Sequence, residues 1–278
     1  MATAPTKPTT TTPKKESSST SSLFATLTIP LCIAVAVLIF LFILGDPSHF
    51  KGGIVEHGEP TDIYGTVYSG GVLVPIGMAY LLMVVVFSIE RFIVIGKASG
   101  TSNVDAFVRK IQASLNTGNI DAAIAECDKQ KGSVANVIKA GLKKYKDVEN
   151  ESGLDVDQKT LAIQKDIEEA TALEMPMLEQ NLTIIATLVA IGTLTGLLGT
   201  VIGMIKAFSE LSGAATNTSA LSAAISEALV NTAMGITTSA VSIIMYNIFT
   251  SKIDGLTYAI DETGFSIVQT FAASHKNK

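Results

Sequence analysis

Tryptophan is absent from this chain of 278 residues, charged residues make up only 16% of it, and it holds two cysteines and three histidines. Each shortage excludes something. Cys32 lies in an apolar run and Cys127 far away among charges, so the sequence offers neither a CxxC metal pair nor a disulfide framework. His49, His57 and His275 have no HExxH or HxxH spacing, and neither a Walker A lysine motif nor a GxSxG elbow occurs. No metal site, no cofactor and no enzymatic chemistry are therefore expected. The formal net charge is -5 and no basic patch is interleaved with aromatics, so nucleic acid is not an expected partner.

Apolar residues fill the space left by charge. They make up 47% of the chain and raise its mean hydropathy to +0.42, too apolar for an ordinary water-soluble domain. A lipid bilayer is the expected solvent. Crossing its hydrocarbon takes about 20 residues, and four runs meet that length: 23–45, 72–95, 181–206 and 227–251. The expected fold class is an all-α membrane protein whose long transmembrane helices extend into a cytoplasmic helical domain. The first run also admits a reading as a cleaved leader, but its apolar core exceeds the usual length of about 7–15 residues, which favours an uncleaved anchor.

Between the runs, residues 1–22 are Thr, Ser, Pro and Lys, a composition that cannot offset the entropy of ordering and predicts a disordered tail. Lys and Arg set the orientation. The tail carries Lys7, Lys14 and Lys15, the 46–71 loop has only Lys51 among four acids, and the 207–226 loop has neither Lys nor Arg. Those two loops are expected on the periplasmic side. The tail, the 96–180 region and the 252–278 helix and tail are then cytoplasmic. Within 96–180, Val104, Phe107, Val108, Ile111 and Leu115 recur at helical spacing after a capping Ser or Asn and before a Gly stop. Residues 119–132 and 133–147 repeat that logic. A long helix from 157 is expected to run straight into the third span, with Pro176 as a kink.

The third and fourth runs are sided. Gly192, Gly196, Gly199 and Gly203 fall along one face of the third at offsets of 0, 4, 7 and 11, a seam for close helix packing in lipid. On the fourth, Glu227, Asn231, Gly235, Thr238 and Ser242 share an arc able to line a polar cavity. The competing reading has the Thr and Ser hydroxyls bonded to their own helix carbonyls and Glu227 as a solvated helix-start charge. No acid lies in the middle of any run, so a proton carrier at mid-membrane would have to come from another chain.

"GLLGTVIGMIKAF" and "ISEALVNTAMGITTSAVSIIMYN" together resemble the signature of the MotA/TolQ/ExbB proton channel family, nearer its ExbB/TolQ branch, and the likeness covers roughly residues 75–270. The resemblance implies a homopentamer in the bacterial inner membrane, around an ExbD/TolR-like single-span protein whose membrane Asp takes up protons. A TonB-like protein is a further implied partner. Thr200 and Thr232 match the family's pathway threonines and Glu227 its glutamate at the start of the last span, with Asn231 and Thr238 beside them as lining residues. On the helix itself Thr232 lies about 140° from Glu227, outside the densest polar arc. Two departures stand out: Thr193 and Val241 occupy positions where many relatives carry proline, and the run at 23–45 exceeds the family's three-span minimum. The implied function is an ExbB-like motor subunit for TonB-dependent transport, with a TolQ-like role in envelope integrity and division, or a non-conducting scaffold, as alternatives.

Overall fold

The computed structural model describes residues 18–53, 55, 59–151, 153–211 and 218–275. The described residues form helices joined by short turns, and no strand occurs among them. Four helical stretches are long and apolar enough to cross a membrane: Phe24–Leu44, Leu73–Asn116, Val156–Leu211 and Thr218–His275. The fold is all-α.

Helix α1 (Ser18–Ile39) starts inside the segment expected to be disordered, a correction for its last residues, while 1–17 lie outside the described part of the chain. A π-turn at Phe40–Leu44 follows. The described residues of the 46–71 connection form caps and short turns. Asp46 caps a turn at Pro47–His49, Phe50 bridges Pro60, and Asp62 caps α2 (Ile63–Tyr68) by accepting from Gly65 N at 2.9 Å. Tyr68 stacks on Phe40 at 4.5 Å and tucks this cap against the end of α1.

Helix α3 (Leu73–Ser99) packs beside α1, with Phe24 meeting Phe87 edge-on. It ends at Gly100, where Gln130 is buried and donates to Ser99 O and Ser102 O at 2.8 Å each. Helices α4 (Val104–Asn116), α5 (Ile120–Gln130) and α6 (Gly132–Glu149) follow, the first two capped by Asn103 and Asn119. Gly132 has φ +83°, and a Cβ there would sit 2.5 Å from Ala98 O, so only glycine lets α6 start against the end of α3.

Helix α7 (Val156–Glu179) opens on a capping box between Asp155 and Gln158. It does not run straight into the next span, as the sequence had suggested. Gln180 turns to an extended conformation and Asn181 to φ +62°, a setting asparagine tolerates better than most residues, so the axis breaks four residues after Pro176. Helix α8 (Leu182–Leu211) then begins afresh.

Helices α8 and α9 (Thr218–His275) run further than the expected 207–226 loop allowed; residues 212–217 of that loop lie outside the described chain. The 58 residues of α9 form one rod. At about 1.5 Å per residue it measures about 87 Å, against about 30 Å of hydrocarbon, so more than half of it projects beyond the membrane. That projecting half is the spine of the helical domain built from α4, α5, α6 and α7. Ile167 of α7 packs against Gly264, Tyr145 of α6 meets Phe271 at 4.8 Å, and Gln112 of α4 donates to Glu262.

Candidate functional site

Where α8 and α9 meet, small residues set the distance. The Cα atoms of Gly196 and Gly235 are so close that a Cβ on Gly235 would lie 2.7 Å from Gly196 Cα and 2.6 Å from Gly192 O. Further out, Gly199 faces Asn231 and Gly203 faces Ala228. All four glycines of α8 are buried in this seam. In lipid, close backbone approach of this kind supplies the packing that the hydrophobic effect cannot.

Polar groups gather in the same seam. Asn231 is 5% exposed and its amide donates to Gly70 O at 2.8 Å and Glu227 O at 3.0 Å, tying α9 to the turn that leads into α3. Thr232 donates to Gly196 O at 3.2 Å and to its own Ala228 O at 3.0 Å, so it joins the two helices despite lying off the main polar arc. Thr238 is 1% exposed. Ser239 donates to Val189 O and pairs with Thr193 at 2.7 Å, and α8 continues unbroken past Thr193. Thr200 is different: half-buried at the seam's flank, it donates to Leu197 O of its own helix at 2.6 Å.

Glu227 stands at the end of this arrangement nearest the start of α9. Both its carboxylate oxygens receive the Lys206 ammonium, at 2.6 and 2.7 Å, and Gly71, at φ +74°, leaves room for it: a Cβ there would be 2.8 Å from Oε1. The structure thus brings Glu227, Asn231, Thr232 and Thr238 onto the buried side of α9 and adds Lys206, Gly70 and Gly71, which sequence reasoning had passed over. Lys206 closes the third apolar run, and nothing within that run assigns it a partner. Its signal was positional: Lys206 is the last cation of one span and Glu227 the first acid of the next, and antiparallel packing of the two helices brings those ends together.

A second polar node lies at the other end of the spans. Arg91 is 1% exposed, pairs with the adjacent Glu90 carboxylate, and donates through one nitrogen to Met177 O and Leu178 O at 3.2 Å each. Those carbonyls close the last turn of α7, where no intrahelical donor remains. Asn181 completes the node by donating to Glu90. Among the described residues no cluster of His, Cys, Asp and Glu side chains is arranged to hold a metal ion.

Comparison with known proteins adds a relation to this geometry. Residues 129–262, just under half of the chain, match the model of the MotA/TolQ/ExbB proton channel family. The biopolymer transport protein ExbB-like 3 of Synechocystis is 38% identical over 88 residues, 31% of this chain and 42% of that protein's length. The Tol-Pal system protein TolQ of Pseudomonas aeruginosa is 25% identical over 205 residues, 72% of this chain and 86% of that protein.

Proposed function

We propose, on the premise that residues 129–262 belong to the MotA/TolQ/ExbB proton channel family in its ExbB/TolQ branch, that the chain is the ring-forming subunit of a proton-driven motor in the bacterial inner membrane. Five copies surround a dimer of an ExbD/TolR-like single-span protein, whose membrane Asp carries protons between hydroxyl-lined walls supplied by this chain. With a TonB-like protein the motor energises outer-membrane transport.

One observation carries the reading. The only acid held within the α8/α9 seam is Glu227 at its outer end, backed by Asn231 and followed inward by hydroxyls and no further carboxylate among the described residues. A seam of that kind receives charge at its mouth and leaves the mid-membrane proton acceptor to a partner. A proton crossing inward gains about 2.3 kcal/mol per 100 mV, enough to bias a two-state step about fifty-fold. The proposed pathway residues are Glu227, Asn231, Thr232, Thr238 and Thr200, and the glycines of α8 hold the helices together.

A TolQ-like role in envelope integrity has its own support, since the Pseudomonas TolQ is matched over most of its length. The test is affinity purification of the tagged chain from native membranes, with intact-complex mass spectrometry. A five-to-two complex with a single-span protein bearing a membrane Asp supports the motor. Recovery of the chain alone, or with soluble proteins only, supports a scaffold instead. Loss of iron-complex uptake on deletion indicates the TonB-linked role, and a leaky envelope with division defects indicates the TolQ-like one.

A further inference from the structure

Close packing at Gly192, Gly196 and Gly235 leaves a gap where α3 comes up against the α8/α9 seam. It is a small cavity of about 10 Å³, lined among others by Tyr80, Thr195, Asn231, Met234 and Thr238. The size matches about one water molecule, since a site needs about 10–15 Å³ of water-accessible volume and two to four polar partners to be wet. Four of the lining residues, Tyr80, Thr195, Asn231 and Thr238, carry polar side-chain groups able to serve as partners. Among the hydrogen bonds of the described residues none engages the hydroxyl of Tyr80, Thr195 or Thr238, and Asn231 uses only its amide nitrogen, which leaves Oδ1 without a donor. Asn231 and Thr238 are both more than nine-tenths buried. Burying such groups dry costs about 1–3 kcal/mol each. An empty cavity, by contrast, has apolar walls.

We infer that this cavity binds one internal water molecule, held by Asn231 Oδ1 and the hydroxyls of Tyr80, Thr195 and Thr238, within a single protomer. The water donates to Asn231 Oδ1 and accepts from a threonine or tyrosine hydroxyl, which makes three helices one hydrogen-bonded unit. If the transport reading above is right, the water also extends the polar path inward from Glu227. It takes a proton on one lone pair as it releases another from an existing O–H bond, so charge advances one step and the water is unchanged. The ligand site itself does not depend on that reading.

The test is radiolytic footprinting of the intact complex in lipid, performed in water labelled with oxygen-18. Bound water yields hydroxyl radicals that mark the nearest reactive side chains, here Tyr80 and Met234. Met83 is the internal control, being 5% exposed on the same helix as Tyr80 and outside the cavity. Labelled oxygen is expected on Met234 and Tyr80 at least about fivefold above Met83. In the Thr195→Val/Thr238→Val double variant the signal is expected to fall to the control level, and in Thr195→Ser/Thr238→Ser to return, which separates loss of water from loss of fold. Labelling at Met234 no greater than at Met83 overturns the water site, even where proton flux is intact. A strong Met234 signal in a complex that passes no protons upholds the water site and removes the transport reading.

Discussion

The Lys206 ammonium of α8 bridges both carboxylate oxygens of Glu227 on α9, at 2.6 and 2.7 Å. The lysine side chain is 52% exposed and the glutamate 15%, so solvent screens the pair. Its contribution to stability is no more than about 1 kcal/mol. The position explains the pair better than its strength does: it holds the one acid of the seam in a fixed place beside Gly71 and above Asn231.

Replacing Glu227 is therefore expected to separate stability from transport. Glu227→Gln should shift unfolding by less than about 1 kcal/mol and lower proton flux at least about tenfold, equivalent to about 1.4 kcal/mol on the barrier. Flux is read by a pH-sensitive dye in proteoliposomes holding the co-purified complex. Undiminished flux in Glu227→Gln would remove it from the pathway.

Arg91 is expected to behave in the opposite way. Its guanidinium is buried, paired with Glu90, and supplies donors to two carbonyls at the end of α7. Arg91→Ala strands both carbonyls and a largely buried carboxylate, at a cost of about 3–5 kcal/mol. Arg91→Lys keeps the charge but not the forked geometry, and should recover only part of that. Thermal unfolding in detergent measures both. Equal stability of the alanine variant and the parent would show that the α7–α8 break holds without this node.

Two glycines of α9 make a matched pair for testing the seam. At Gly235 a Cβ would meet the backbone of Gly192 and Gly196 at 2.6–2.7 Å, whereas at Gly255 it would meet nothing within 4 Å. Gly235→Ala should cost about 1–3 kcal/mol through overpacking, and Gly255→Ala should stabilise by about 0.5–1 kcal/mol through helix propensity. Opposite signs in one unfolding series are the expected result. Tolerance of Gly235→Ala would mean that the helices part without penalty.

Cys127 gives a test of the helical domain around α5. Burial, with Asp128 adding to it, pushes its thiol up to about 12, so the reactive thiolate is scarce at neutral pH. Maleimide should leave it unmodified at pH 7.5 in the native protein and label it only after unfolding. Rapid native labelling would mean that α5 opens readily.

The periodic parts of this molecule were legible in the sequence. Apolar runs without acids marked the spans, and Asn103 and Asn119 marked helix starts because their side chains compete for backbone N–H groups. The missed features were those decided by tertiary contact. Nothing local in Gln180–Asn181 outweighs the helix formers around it; the break is held by Arg91, 86 residues away from the carbonyl of Met177 that it caps. Thr232 was harder still. Its angle on an isolated wheel pointed away from Glu227, yet the partner that matters is Gly196 O on α8, which approaches only because neither helix carries a side chain there. In the 46–71 connection, polar composition alone gave no sign of the caps and the aromatic stack that its described residues form.

Asp62 in the 46–71 connection is expected to give that segment a pH response. Asp62 caps α2 through Gly65 N at 2.9 Å and holds His49 Nδ1 at 2.7 Å, and these contacts, the backbone one first, keep its carboxyl below the ordinary value. A carboxylate with a lowered folded value stabilises the fold fully above its unfolded value of about 4. That contribution is lost as pH falls through the folded value. Amide protection across Ile63–Tyr68, corrected for intrinsic exchange, is therefore expected to hold from neutral pH down to about 4 and to drop below it. Asp62→Asn keeps an oxygen for the cap but has no proton to gain, so its protection should lose the acid step. Asp62→Ala should lack protection at every pH. A persisting acid step in the Asn variant would move the response to Asp46 or Glu59, whose carboxyls are also lowered, by Ser48 and by Lys51.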